Sequence, residues 1–122
     1  MLYFIATPIG NLKEITLRAI DTLNEVDCIY AENPRHSLTL LNAYSIKKPV
    51  FEYQKHNEQA SSEEIIKKLQ KGIVVAVLSD AGTPLISDPG SVLVQKLIAN
   101  NLPYTLISGP CAAINALRVL TS

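Results

Sequence analysis

The sequence predicts an α/β domain, a five-stranded mostly parallel sheet flanked by helices, and three observations predict it. Short apolar runs alternate with helical patterns five times along 122 residues, which is the signature of strands joined by crossover helices. The run Ile73 to Leu78 is continuously apolar and β-branched, as a strand covered on both faces must be. Three of the five glycines follow strands at once and come with proline: Thr7-Pro8-Ile9-Gly10, Gly82-Thr83-Pro84 and Ser108-Gly109-Pro110.

Taken in order, Leu2 to Ala6 reads as a buried strand. Asn11 with Glu14 has the cap-and-Glu spacing that opens a helix through about Leu23. Asp27 to Ala31 is a second strand, and Ser37 to Ala43, with leucines at 38, 40 and 41, a short helix. Pro49 to Tyr53 reads as an edge strand. Ser61 and Glu64 repeat the capping spacing ahead of a helix stopped near Lys71-Gly72. After the strand at Ile73 come a helix from about Ser91 to Asn100, a strand Tyr104 to Ile107 and a helix from Ala112 towards Leu120. One domain is the expectation for this length.

Composition narrows the class. A hydrophobic content of 48% and a charged content of 18% fit a folded globular chain. Cys28 and Cys111 are too few for a disulfide framework and stand in no metal-ligand spacing, so two reduced thiols and no metal are expected in an intracellular protein. The apolar start MLYFIA has no basic leader, and no stretch approaches the length of a membrane span. Net charge is zero, yet Arg35 to Lys55 holds four basic residues against Glu52, with His36 and His56 alongside. That segment is either an anion-facing edge or a solvated face.

In an open parallel sheet, ligands bind beyond the carboxyl ends of the strands. Stiff Gly/Pro corners there offer backbone groups at little ordering cost. No Gly-x-Gly-x-x-Gly and no Gly-Lys-Ser/Thr is present, so a dinucleotide fingerprint and a phosphate loop are both missing. The stretch from Leu78 to Gly90 is long for a strand-to-helix connection and holds two acids, two prolines and two glycines. Asp80 either accepts hydrogen bonds from a ligand or holds its own loop; Asp88 reads as a helix-entry cap. Glu32, Arg35 and His36 after the second strand either bind and polarise a substrate or form local structure, with Glu32 pairing Arg35 and His36 opening the helix. His56-Asn57-Glu58 is a similarly placed polar turn.

These segments resemble, in order, the tetrapyrrole methylase superfamily, and more narrowly its ribosomal RNA small subunit methyltransferase I branch. The likeness rests on Ile5-Ala6-Thr7-Pro8-Ile9-Gly10-Asn11-Leu12, Ile15 to Ala19, Ala31-Glu32 with Arg35-His36, His56-Asn57-Glu58, Ser79 to Gly90, and Gly109-Pro110. It implies an S-adenosylmethionine-dependent methyltransferase of two α/β domains with the cofactor in the cleft between them. The implied activity is 2′-O-methylation of a cytidine in 16S ribosomal RNA, in the cytoplasm. Residues 1–122 resemble the N-terminal domain alone, so the second domain is absent and the isolated piece is expected to be inactive.

By position, the resemblance places cofactor contacts at Pro8, Ile9, Asp80, Ala81, Gly82, Leu85, Cys111 and Ala112, and catalytic candidates at Glu32, Arg35 and His36. Three departures stand out: Asn33-Pro34 replaces the usual Asp-Thr, Ser108 a proline, and Cys111 a serine or threonine. The last helix is apolar nearly all round, and Arg118 is the only charge from Leu97 to Ser122. The missing domain or a homodimer partner is expected to cover it, the alternative being a helix inside one core. Two other functions stay open: methylation of a corrin or porphyrin, and a non-catalytic ligand-binding or dimerisation module.

Overall fold

The computed structural model describes residues 1–7, 12–53, 55–80 and 90–107. Five parallel strands form one sheet: β1 (Leu2–Thr7), β2 (Cys28–Ala31), β3 (Val50–Glu52), β4 (Val75–Asp80) and β5 (Tyr104–Ile107), in the order β3-β2-β4-β1-β5. Four α-helices connect them: α1 (Leu17–Glu25), α2 (Pro34–Ala43), α3 (Glu58–Gln70) and α4 (Gly90–Ala99). The predicted fold class is the one observed.

Alternation of side chains along each strand builds two cores. Ile5, Ile29, Ala76, Leu78 and Ile107 meet Ala19, Leu23, Leu40 and Leu41 of α1 and α2 on one face. Phe4, Tyr30, Val75 and Val77 meet Ile65, Leu69, Leu93 and Leu97 of α3 and α4 on the other. This division follows from the strand order. Connections β1 to β2 and β2 to β3 run towards the β3 edge, whereas those into β4 and β5 run back. A single handedness of crossover puts the two directions on opposite faces.

The cap residues differ from those expected. A single 3-10 turn occupies Leu12–Glu14, and α1 begins after Thr16, whose side chain accepts from the Ala19 N–H at 3.1 Å. Likewise α3 begins at Glu58, three residues before Ser61. Ser61 and Ser62 are therefore inside the helix and buried, and neither is a cap. The fourth strand starts at Val75 because Asp27 holds the residue before it: its carboxylate accepts from the Val74 N–H at 2.8 Å, and its own N–H donates to the Val74 carbonyl at 2.8 Å. Cys28 is buried, and that burial pushes its thiol up from the ordinary value, as in an inert structural cysteine. The helix predicted from Ala112 lies outside the described residues.

Three helices end in one device. After α2, α3 and α4 the chain passes through Ser45, Gly72 and Asn101 at φ of 57°, 86° and 55°. The next residue donates back to the helix each time: Ile46 to Leu41, Ile73 to Lys68 and Leu102 to Leu97, at 2.8, 3.0 and 2.9 Å. This is the Schellman pattern, which glycine adopts without a Cβ penalty. Ser45→Gly should therefore stabilise the chain and Gly72→Ala destabilise it, each by about 1 kcal/mol. A Cβ at Gly72 meets nothing within 4 Å, so backbone strain alone sets its effect; urea unfolding of both variants checks the pair.

Candidate functional site at the carboxyl edge of the sheet

All five strands are parallel, so all five carboxyl ends leave one edge. Thr7 pairs with Asp80 and Ile5 with Ile107; the strands leading into the three Gly/Pro corners are therefore neighbours, β4-β1-β5. On the other side of β4, Leu78 pairs with Ala31, and Ala31 with Glu52. Chains leaving β1 and β2 turn to the α1/α2 face, while the chain leaving β4, between them, turns to the α3/α4 face. In open parallel sheets, ligands bind at strand ends where the following helices part to opposite faces in this way.

Two polar groupings stand at this edge. At the β1–β4 end, the buried Thr7 hydroxyl donates to the Ser79 carbonyl at 3.0 Å. The Ser79 hydroxyl is itself buried and has no hydrogen-bond partner among the described residues. A desolvated hydroxyl left unpaired costs about 1–3 kcal/mol, and native structures keep few of them. At the β2–β3 end, Tyr53 is 1% exposed and its hydroxyl lies 3.0 Å from the Ser62 hydroxyl. Burial pushes the Tyr53 phenol up to about 12; the Ser62 hydrogen bond opposes this, while the carboxylates of Glu58 and Glu32 add to it. Both carboxylates thus act on one phenol. One oxygen of Glu58, Oε2, is also buried without a partner among the described residues.

Of the expected catalytic residues, the structure brings Glu32, half-buried beyond β2, to this second grouping. Arg35 and His36 lie in the first turn of α2, Arg35 exposed and His36 half-buried. Asn33 caps that turn, accepting from the His36 N–H at 3.2 Å, and Pro34 fits its first position. The Asn33-Pro34 departure noted above is thus a helix start. His56 is exposed, 3.9 Å from Glu52.

Of the expected cofactor contacts, Asp80 ends β4; Pro8, Ile9, Ala81, Gly82, Leu85, Cys111 and Ala112 lie outside the described residues, as does Asp88. Among the described residues no group of three His, Cys, Asp or Glu could hold a metal, and no helix is long and apolar enough to cross a membrane. Tyr53, Ser62 and Ser79 were not singled out from the sequence. Ser62 carried a signal: it shares the helical stripe of Ile65, Ile66 and Leu69, where a polar side chain needs a buried partner.

Residues 1–121 match the family model described as Tetrapyrrole (Corrin/Porphyrin) Methylases. The sequence is 50% identical over 117 residues to ribosomal RNA small subunit methyltransferase I of Haemophilus influenzae, covering 96% of this chain and 41% of the relative. It is 44% identical over 118 residues to the protein of that name from Thermotoga maritima, covering 97% and 53%. The chain spans about half the length, or less, of these curated relatives. Among solved structures it superposes on uroporphyrin-III-C-methyltransferase from Thermus thermophilus with a TM-score of 0.68 at 20% identity, covering 98% of this chain and 52% of that one. That likeness concerns the fold. With the family model matched along all but the last residue, the chain belongs to the tetrapyrrole (corrin/porphyrin) methylase family.

Proposed function

We propose that the chain is the N-terminal α/β half of an S-adenosylmethionine-dependent methyltransferase that modifies small-subunit ribosomal RNA on the ribose oxygen of a cytidine. A second domain, absent from residues 1–122, completes the cleft, and the reaction takes place in the cytoplasm. The reading rests on relatives bearing that name at 44–50% identity over nearly the whole chain. The single structural observation that carries it is the unpartnered Ser79 hydroxyl, buried where β4 meets β1 at the point where the connections part.

The residues present fit the cofactor. A nucleoside with an amino-acid tail brings hydroxyls, an ammonium and a carboxylate, and the described edge supplies the buried Ser79 hydroxyl beside Asp80, the last residue of β4. When bound, S-adenosylmethionine supplies an already activated methyl group. The protein's work is then orientation, worth about 7–11 kcal/mol when reacting atoms are aligned, together with removal of the acceptor's proton. Glu32 receives that proton in this reading, being a half-buried carboxylate beyond a strand end. The nearby Glu58 carboxylate, which acts with Glu32 on the Tyr53 phenol, favours uptake of that proton by like-charge repulsion, while Arg35 and His36 at the start of α2 serve the RNA.

Calorimetric titration with S-adenosylmethionine tests the reading. The 122-residue chain should bind weakly or undetectably, and the full-length protein in the micromolar range; equal binding by both overturns the shared cleft. Labelled methyl groups should pass from the full-length protein to small-subunit RNA and not to a tetrapyrrole. Ser79→Ala separates a ligand contact from a structural one. It should leave the free chain as stable or up to about 1 kcal/mol more so, since it removes an unpaired buried hydroxyl, while weakening cofactor binding several-fold. Lower stability with unchanged affinity counts against Ser79 as a contact.

A further inference from the structure

The charge of this chain is unevenly placed. Residues 1–34 hold two Lys/Arg and five Asp/Glu, whereas residues 35–71 hold seven and four. The basic segment contains β3, the outer strand of the sheet. On it stands Phe51, 40% exposed despite its size and apolarity.

Its ring is held by two neighbours. The Tyr30 ring lies 5.2 Å away, centroid to centroid and tilted by 31°, and the Lys68 ammonium sits 4.0 Å from the Phe51 centroid. Lys68 is fixed in turn: it donates to the Tyr30 hydroxyl at 2.8 Å, and that hydroxyl donates to Glu64 at 3.0 Å. Exposed Lys47 and half-buried Lys48 directly precede the strand, and Lys67 and Lys71 are exposed on and just after α3.

We propose that the β3 edge is a docking surface for single-stranded RNA, with a base stacked on Phe51 and phosphates held by Lys47 and Lys48. This rests on the RNA reading above and adds to it a contact away from the transfer site. An aromatic whose position is already fixed loses little freedom when a base stacks on it, and any base offers a π face. The adjacent lysines supply the sequence-independent attraction to phosphate. A second copy of the chain suits the edge less well: β3 has three residues, and Lys47-Lys48-Pro49 before it is the kind of sequence that blocks strand addition.

Fluorescence anisotropy of a short labelled single-stranded RNA with the 122-residue chain tests this. The wild-type chain should bind at low salt. Phe51→Ala should weaken binding roughly ten-fold and Phe51→Trp restore it, while an abasic RNA binds the wild-type chain as weakly as normal RNA binds Phe51→Ala. Lys47→Glu with Lys48→Glu should flatten the log–log salt slope by about 1.4. Absence of RNA binding by the wild-type chain, equal affinity of Phe51→Ala with its fold intact by circular dichroism, or sedimentation showing a dimer that Phe51→Ala dissolves would each overturn the proposal. Methylation of small-subunit RNA by the full-length protein carrying Phe51→Ala, at saturating RNA, separates the two readings. Retained transfer with unchanged RNA affinity sinks the docking surface alone, whereas RNA binding by the wild-type full-length protein without transfer to RNA sinks the methyltransferase reading alone.

Discussion

Glu32→Gln in the full-length protein is expected to lower kcat for RNA methylation by about two to four orders of magnitude, with cofactor affinity unchanged within about two-fold. Glutamine keeps the shape and hydrogen-bonding reach of the side chain but cannot take a proton at neutral pH. Glu58→Gln provides the comparison. Both carboxylates raise the Tyr53 phenol, so either substitution should lower that pKa from about 12, read by ultraviolet titration. Only loss of the true base should remove the rate. Full activity in Glu32→Gln, with Tyr53 shifted as expected, removes Glu32 from the chemistry and leaves its electrostatic placement standing.

The largest stability effect should come from Leu78→Ala, about 3–4 kcal/mol within the usual range for a buried leucine. Leu78 is 1% exposed, on the central strand, opposite Ile5 on β1 and Ala31 on β2 and against the α1/α2 layer. A cavity there has rigid walls on three sides and little freedom to collapse. Against a typical total of about 5–15 kcal/mol, one such loss leaves a domain near its unfolding threshold. Val50→Ala on the half-buried edge strand β3 should cost under about 1 kcal/mol. Urea midpoints of the two variants give the comparison, and equal losses would contradict a core centred on β4.

Strands read well from the sequence where burial alone decides them. Tyr104–Ile107 is the strand expected, and the double-faced burial predicted for the fourth strand is seen in Val75, Val77, Ala76 and Leu78. Local signals misled where a tertiary partner outcompeted them. Ser61 looked like a cap, yet the Ser61 hydroxyl donates to the Glu52 carbonyl at 3.5 Å and Ser62 pairs with Tyr53, so the helix extends past both. The grouping of Glu32, Tyr53 and Glu58 was invisible for another reason. It depends on β3 lying beside β2 and on α3 starting at that edge, and no spacing along a single chain encodes which strands become neighbours. The three Gly/Pro segments lie outside the described residues, but the pairing of β1 with β4 and β5 brings the strands before them together.

Strand order also governs how this polypeptide leaves the ribosome. Leu2 has Val75 and Tyr104, both translated long after it, as its partners across the sheet. At about 5–20 residues per second, β1 waits roughly 5–20 seconds before both of its neighbours have been translated. Until β4 is made Leu2, Phe4 and Ile5 have no sheet to join, and one edge of β1 then stays open until β5 follows. The nascent β1 segment is therefore an obvious client for holding chaperones, and slowing translation after residue 80 should lengthen the exposure of its β5-facing edge without changing the finished protein.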